Sequence, residues 1–310
     1  MTKREHSSRR SHVYEWEQGK EKQMQKFVLF TDSSSDLPIT LINELGIKMV
    51  QLTVTLEGED PKTNDLVNTK EFYDALRTKK SATTSTPSIN NFIEAFEPIV
   101  SAGNDMLYLG FSSGLSGTYN AGAVAAAELS EKYPDRKIFT VDTLCASLGQ
   151  GLIVYSAAKM CENGAAIEEV RDFVENNKLN LCHWFTVDDL FFLKRGGRVS
   201  AATAVMGTML SIKPVMHVDN AGKLINVEKA RGRKAAIEAL LKNMRESHTD
   251  IKTQPVFISH GDCLEDAEYL AERIKTEFGV EVLVIDYVGP VIGAHSGPGT
   301  LALFFYGKQR

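Results

Sequence analysis

Residues 106–122 read Met-Leu-Tyr-Leu-Gly-Phe-Ser-Ser-Gly-Leu-Ser-Gly-Thr-Tyr-Asn-Ala-Gly, and few folds accommodate such a stretch. Met106 to Phe111 is a short apolar run of strand length, and an alanine-rich helix is expected from about Thr118. Between them stands a turn made of serines and glycines. The start of a helix carries unpaired backbone N–H groups and the positive end of its dipole. Small hydroxyls gathered there make a seat for a carboxylate or a phosphate.

The same pattern of strand, loop and helix recurs through the first half. Phe27 to Phe30 is apolar and ends in Thr31-Asp32-Ser33-Ser34-Ser35-Asp36; Pro38 then opens a helix that Gly46 closes. Lys48 to Leu56 reads as a second strand. Glu71 to Arg77 begins a helix, and Thr83-Thr84-Ser85-Thr86-Pro87-Ser88 precedes another near Asn90 to Val100. Lys137 to Val141 is a further strand, running into Asp142-Thr143 and a long helix from about Ala146 to Cys161. Short buried strands alternating with helices predict an α/β domain over residues 27–177, a mostly parallel sheet with helices on both faces. Ligands in such sheets bind beyond the carboxyl ends of the strands, where the Ser/Thr-rich loops 31–36, 83–88 and 112–118 would meet.

The second half has a different rhythm and predicts an α+β domain with a mixed sheet over residues 178–310. A strand is expected at 181–187, then a helix start at Asp188-Asp189-Leu190 and a turn at Lys194-Arg195-Gly196-Gly197-Arg198-Val199-Ser200. A helix of small residues and Met follows at about 201–211, where Met206 and Met209 suit ordinary core packing and the wall of an adaptable cavity equally. Pro214 to Val218 and Leu224 to Val227 flank Asp219-Asn220-Ala221-Gly222, a hairpin signal. Glu228 to Arg245 reads as helix, Pro255 to Ser259 as strand, Glu265 to Phe278 as helix and Val280 to Ile285 as strand. Gly289 to Thr300 places four glycines and two prolines around His295, and so predicts a sharply shaped loop before an apolar last segment.

Composition removes several function classes. The formal net charge of −5 over 310 residues offers no overall basic field for nucleic acid. No apolar run reaches the roughly 20 residues of a membrane span. Cys145, Cys161, Cys182 and Cys263 contain no Cys-x-x-Cys pair, and His183, His217, His260 and His295 contain no ligand-spaced pair, so no metal is expected. Scattered cysteines suit a reducing compartment, and a cytoplasmic location is the expectation. Residues 1–26 form a polar extension in which Lys3, Arg4, Arg9, Arg10, Lys20, Lys22 and Lys26 outnumber the glutamates. It lacks the apolar block of a secretory signal.

Three functions fit the serine turn. It lacks the Gly-Lys-Ser/Thr ending of a P-loop, the Gly-x-Gly-x-x-Gly of a dinucleotide fold and the Gly-x-Ser-x-Gly of a nucleophile elbow. One reading is a binding site for a carboxylate. A second is a hydrolase acting on an acyl substrate through Ser113, with His260 or His295 as base and Asp262 or Asp286 as orienter; nothing in the spacing enforces that triad. A third is a regulator that binds a phosphate or sugar phosphate. Arg198, and Arg231 with Arg233 and Lys234, would supply a basic rim to any of them.

Taken in order, these motifs resemble the DegV family, the fatty-acid-binding subunits of bacterial fatty acid kinase. The carriers are Thr31 to Asp36, Thr84-Ser85-Thr86-Pro87-Ser88, Ser112 to Thr118, Val141-Asp142-Thr143, Gly196-Gly197-Arg198-Val199, Glu228-Lys229-Ala230-Arg231, and Gly289-Pro290 through His295 to Gly299. The resemblance covers roughly Phe27 to Gly307, with one departure: Thr86 stands where the family usually has Gln. It implies a two-domain protein that encloses one long-chain, palmitate-like fatty acid and requires no cofactor. The carboxylate would be held by Ser85 and Ser113, with Thr84 and Ser112 close by. Arg198, Arg231 and His295 would face a separate fatty acid kinase catalytic subunit, to which the carboxylate is presented; transient membrane contact would serve lipid exchange. The fold is also similar to the substrate domains of dihydroxyacetone kinases.

Overall fold

The computed structural model describes residues 27–200 and 212–310. The extension before Phe27 and the helix expected at 201–211 lie outside the described residues.

Strands β1 (Phe27–Asp32), β2 (Lys48–Val50), β6 (Asp105–Gly110) and β7 (Ile138–Asp142) form a parallel sheet in the order β2-β1-β6-β7. The chain leaves β1 for β2 on one side and reaches β6 on the other. The loops after β1 and β6 therefore part at a crevice, the usual ligand position in open parallel sheets. On one face, α3 (Ile89–Ser101) and α4 (Thr118–Lys132) pack through Phe92, Phe96 and Leu129 against Phe30 and Tyr108. Helix α5 (Leu148–Glu162) covers the other face and is buried nearly all round, as a helix with apolar residues on every side must be. Its far side meets a second sheet.

That second sheet has six strands: β8 (Leu181–Thr186), β9 (Ile212–Val218), β10 (Leu224–Arg231), β11 (Phe257–His260), β12 (Val284–Tyr287) and β13 (Leu301–Tyr306). Their order is β10-β9-β8-β13-β11-β12, antiparallel except between β11 and β12. Helices α8 (Arg233–Ser247) and α9 (Leu264–Phe278) close its outer face with Ile237, Leu240, Leu241, Leu270 and Ile274. The expected α/β class, with a parallel sheet flanked by helices and a separate mixed sheet, is what the chain adopts. Among the described residues, no helix is long and apolar enough to cross a membrane.

Four local expectations are corrected. The single strand at 48–56 is two strands in different sheets: after β2 the chain turns, and β3 (Thr53–Leu56) joins β4 (Lys62–Thr63) and β5 (Ala82–Ser85) in a small antiparallel sheet ordered β4-β3-β5. Ser33 Oγ holds the joint by accepting from Leu52 N at 2.9 Å. Thr83 to Ser85 is accordingly strand rather than loop, while Ser88 caps α3, its Oγ accepting from Asn91 N at 3.2 Å. Residues 228–231 continue β10 instead of opening a helix, because their alternation pairs with β9 beyond a register shift; only after Gly232, at φ +86°, does α8 begin. The segment around His295 is not all loop: Pro290, at the first helical position, starts α10 (Pro290–Ser296). Helix α6 (Ile167–Asn177) packs on α5 through Val170 and Val174.

The small sheet, with α2 (Thr69–Arg77) behind it, lies over α10. Phe72 and Tyr73 pack with Val291 and Ala294, and Tyr73 OH donates to Val288 O at 2.8 Å.

Candidate functional site

Between the two larger sheets, under the small one, is a cavity of about 880 Å³, a volume that includes open solvent at its mouth. Phe111, Leu115, Phe185, Val218, Ala302 and Phe304 supply much of its wall, so its interior is largely apolar.

One rim is polar. Strand β5 alternates, which turns Thr84 inward; its Oγ1 lies 2.8 Å from His295 Nε2. Ser85 and Thr86 follow on the exposed lip. His295 stands near the end of α10 (Pro290–Ser296). Room for its ring comes from Gly196, where a Cβ would fall 2.2 Å from His295 Nδ1. That glycine ends α7 (Leu190–Arg195), and the turn beyond it, with Gly197 at φ +73°, returns Arg198 to the rim. Arg198 is half-buried; its Nε donates to Leu115 O at 3.1 Å and its guanidinium also reaches Gly196 O. Ser116, next to Leu115, completes the ring. Leu115, Arg198, Gly196, His295 and Thr84 are thus linked around one opening.

The electrostatics of the rim follow from burial. Desolvation, with the nearby positive charges of Arg198 and Arg195, lowers His295 to about 4. The imidazole is neutral at pH 7, with Nδ1 buried and without a hydrogen-bond partner among the described residues. A neutral ring and aliphatic alcohols can orient an anion by hydrogen bonding, while the positive charge of the rim sits on Arg198 at its edge.

The sequence-derived residues divide. Thr84, Ser85, Arg198 and His295 meet at the rim. Ser112 does not line the cavity: it is buried, its Oγ donating to Gly222 O at 2.8 Å and accepting from Gly114 N at 3.2 Å. Ser113 is exposed and also outside the lining, its N–H held by Asp142 Oδ1 at 3.2 Å. Ser116 takes the inward position instead. Its place directly before Gly117 and Thr118, where α4 begins, was the signal that could have singled it out; its Oγ accepts from Thr118 N at 3.2 Å. Arg231 is exposed at the end of β10 and does not line the cavity. Neither histidine proposed as a base contacts Ser113: His295 bonds Thr84, and His260 Nδ1 accepts from Cys263 N at 3.3 Å. No cluster of metal-ligating side chains occurs among the described residues.

A family model described as "uncharacterised protein, DegV family" matches residues 26–308. A DegV domain-containing protein of Clostridium perfringens is 47% identical over 289 residues, 93% of this chain and 99% of that protein. The chain belongs to the DegV family. Two DegV structures extend the comparison. A DegV family protein from Thermus thermophilus, described for its fatty acid binding, is 31% identical, with a TM-score of 0.80 over 91% of this chain and 99% of its own. DegV from Bacillus subtilis, described as a fatty acid binding protein, is 28% identical, with a TM-score of 0.79 over 92% and 100%.

Proposed function

We propose that this DegV chain binds one long-chain fatty acid, tail in the cavity and carboxylate at the rim, and carries it to a separate kinase that phosphorylates the carboxylate. The observation that carries the reading is a cavity with largely apolar walls that opens at the Thr84–His295 pair. Fatty acid binding by DegV relatives of about 30% identity supports it.

The energetics favour such a division of labour. Each buried methylene is worth about 0.8 kcal/mol, so a tail of about 16 carbons supplies roughly 12 kcal/mol before the costs of binding. The polar end therefore needs to orient more than to hold. Thr84, Ser85 and Ser116 would contact the carboxylate, His295 would support Thr84, and Arg198 would screen its charge from one side. Exposure of Ser85 and Thr86 leaves the outer carboxylate oxygen open to an incoming phosphoryl group. Arg231, exposed on β10, belongs in this reading to the kinase-facing surface.

Denaturing the purified protein, extracting it and weighing the extract tests the reading. An equimolar acid of about 14–20 carbons, converted to acyl phosphate when the loaded protein meets an ATP-using fatty acid kinase, is the expected result. A lipid-free protein that takes up no acid on incubation overturns it. Arg231→Ala should lower the phosphorylation rate while sparing retention; the reverse result would move that residue's role to the cargo.

A further inference from the structure

The inner face of the second sheet shows where the cavity ends. Side chains on a strand alternate between faces, so Phe185 and His183 of β8 point the same way, and both line the cavity. The next position on that face, Leu181, is wholly buried in the core and does not line it. Strand β13 repeats the pattern: Ala302 and Phe304 line the cavity and Tyr306 does not. Register joins the strands row by row, with Ala302 opposite Phe185 and Phe304 opposite His183. On the other side, the pairing of Trp184 with His217 sets His183 opposite Val218, which is itself paired with Leu224. Phe304, His183, Val218 and Leu224 therefore form one row, the last row of the sheet that the cavity reaches.

That row lies away from the mouth. Strand β8 runs out through Thr186 toward α7, beyond whose end Gly196 meets His295 at the rim. His183 stands three residues back from Thr186, about 10 Å at the rise of a strand. Behind it is α5: Gly149, in the first turn of that helix, leaves room for the ring, where a Cβ would fall 2.2 Å from His183 Nε2. The ring is held at both nitrogens. Nδ1 donates to Leu181 O at 3.0 Å, and Nε2 accepts from Ala146 N at 3.3 Å. It also packs edge-on with Phe304, ring centres 5.4 Å apart, and is 1% exposed. A side chain fixed in this way does not reshape itself around a ligand as a methionine does.

We infer that His183 is the stop for the far end of the acyl tail and sets the longest chain that the protein takes. The inference rests on the fatty acid reading above and adds the length of the cargo to it. One methylene more or less in an apolar pocket changes binding by about 10- to 200-fold. That discrimination needs a wall that does not yield, and a ring tied to two backbone groups is such a wall. A shorter chain leaves the row unfilled; a longer one has to displace the ring and break both of its hydrogen bonds.

The test is a competition. The lipid-free full chain is incubated with an equimolar mixture of saturated straight-chain acids of about 12–22 carbons, and the bound acids are extracted and weighed. In His183→Ala, the acid two carbons longer than the native preference should gain at least about tenfold over the preferred one. Val218→Ala opens the same row without removing a side-chain hydrogen bond; it should shift the ratio the same way and serves if the first variant does not fold. A second measurement leaves the sequence untouched. An acid with a photoreactive diazirine on its last carbon, cross-linked inside the native protein and mapped by peptide mass spectrometry, should mark Phe304, His183, Val218 or Leu224. An unchanged length preference in whichever variant folds, or label confined to residues outside the row, overturns this inference and leaves the fatty acid reading standing. Failure of the native chain to take up any acid overturns both.

Discussion

Two segments rich in Ser and Thr meet near this cavity, and they use their hydroxyls in opposite ways. In the turn 112–118, the chain itself takes much of the polar capacity: Ser112 binds Gly222 O and Gly114 N, Ser116 binds Thr118, and Ser113 faces outward. In β5 the backbone groups facing β3 are satisfied by strand pairing, and the hydroxyl of Thr84 meets His295. A turn must satisfy its own N–H and C=O groups with whatever side chains are near, whereas a paired strand has already done so. Composition alone cannot distinguish the two; backbone bookkeeping can.

The comparison can be broken most severely at its strand side. Gly196→Ala drives a methyl group into His295 while leaving the serine turn untouched, and overpacking of this kind costs about 1–3 kcal/mol. A fall in the denaturant midpoint together with loss of the extracted acid is expected; unchanged retention would separate His295 from the cargo. Next in size is Thr84→Val, which keeps the shape and removes the hydroxyl. Retention of the acid should weaken about tenfold in a lipid-exchange assay, as one hydrogen bond to a charged group allows.

A third test uses acid. Burial, aided by the Arg198 and Arg195 charges, lowers His295 to about 4 from an ordinary 6.5, so the folded state takes up its proton less readily than the unfolded chain does. The stability associated with the neutral ring is complete above about pH 6.5 and declines as pH falls toward the folded value. His295→Gln should flatten that decline in denaturant midpoints. His183 and His217, lowered chiefly by burial, leave part of it in place. An equally steep acid limb in the variant would show that the ring is not held neutral. The smallest effect belongs to the turn: Ser113→Ala should change acid retention by less than about twofold, since a surface substitution of this kind is usually worth under about 0.5 kcal/mol. A tenfold loss would restore Ser113 to the binding site.

Much of the fold was legible because it rests on local patterns. The apolar run of β6 into the serine turn, the Pro38 to Gly46 helix and the Asp219 to Gly222 hairpin each carry a signal written in adjacent residues. The errors arose where partners distant in sequence decide. Nothing within Lys48 to Leu56 reveals that Ser33 will hold Leu52 and send the strand's second half into another sheet. Glu228 to Arg231 looks helical until its alternation is set against β9. Thr84, Ser85, Arg198 and His295, which the family resemblance grouped, line one cavity mouth. That Ser116 lines it and Ser113 does not depends on which serine the turn points inward. Asp36 and Ser147, 111 residues apart, could be joined only by the fold.

The joint between β2 and β3 is two residues long, Gln51 and Leu52. Side-chain direction flips with every step along a strand, so this short spacer fixes the phase of the whole small sheet against the rest of the molecule. Adding or deleting a single residue there would rotate Thr83 into the place of Thr84 without altering any letter of the 83–88 segment. Anyone redesigning the mouth for a different head group is therefore free to change its chemistry, but has to preserve its count.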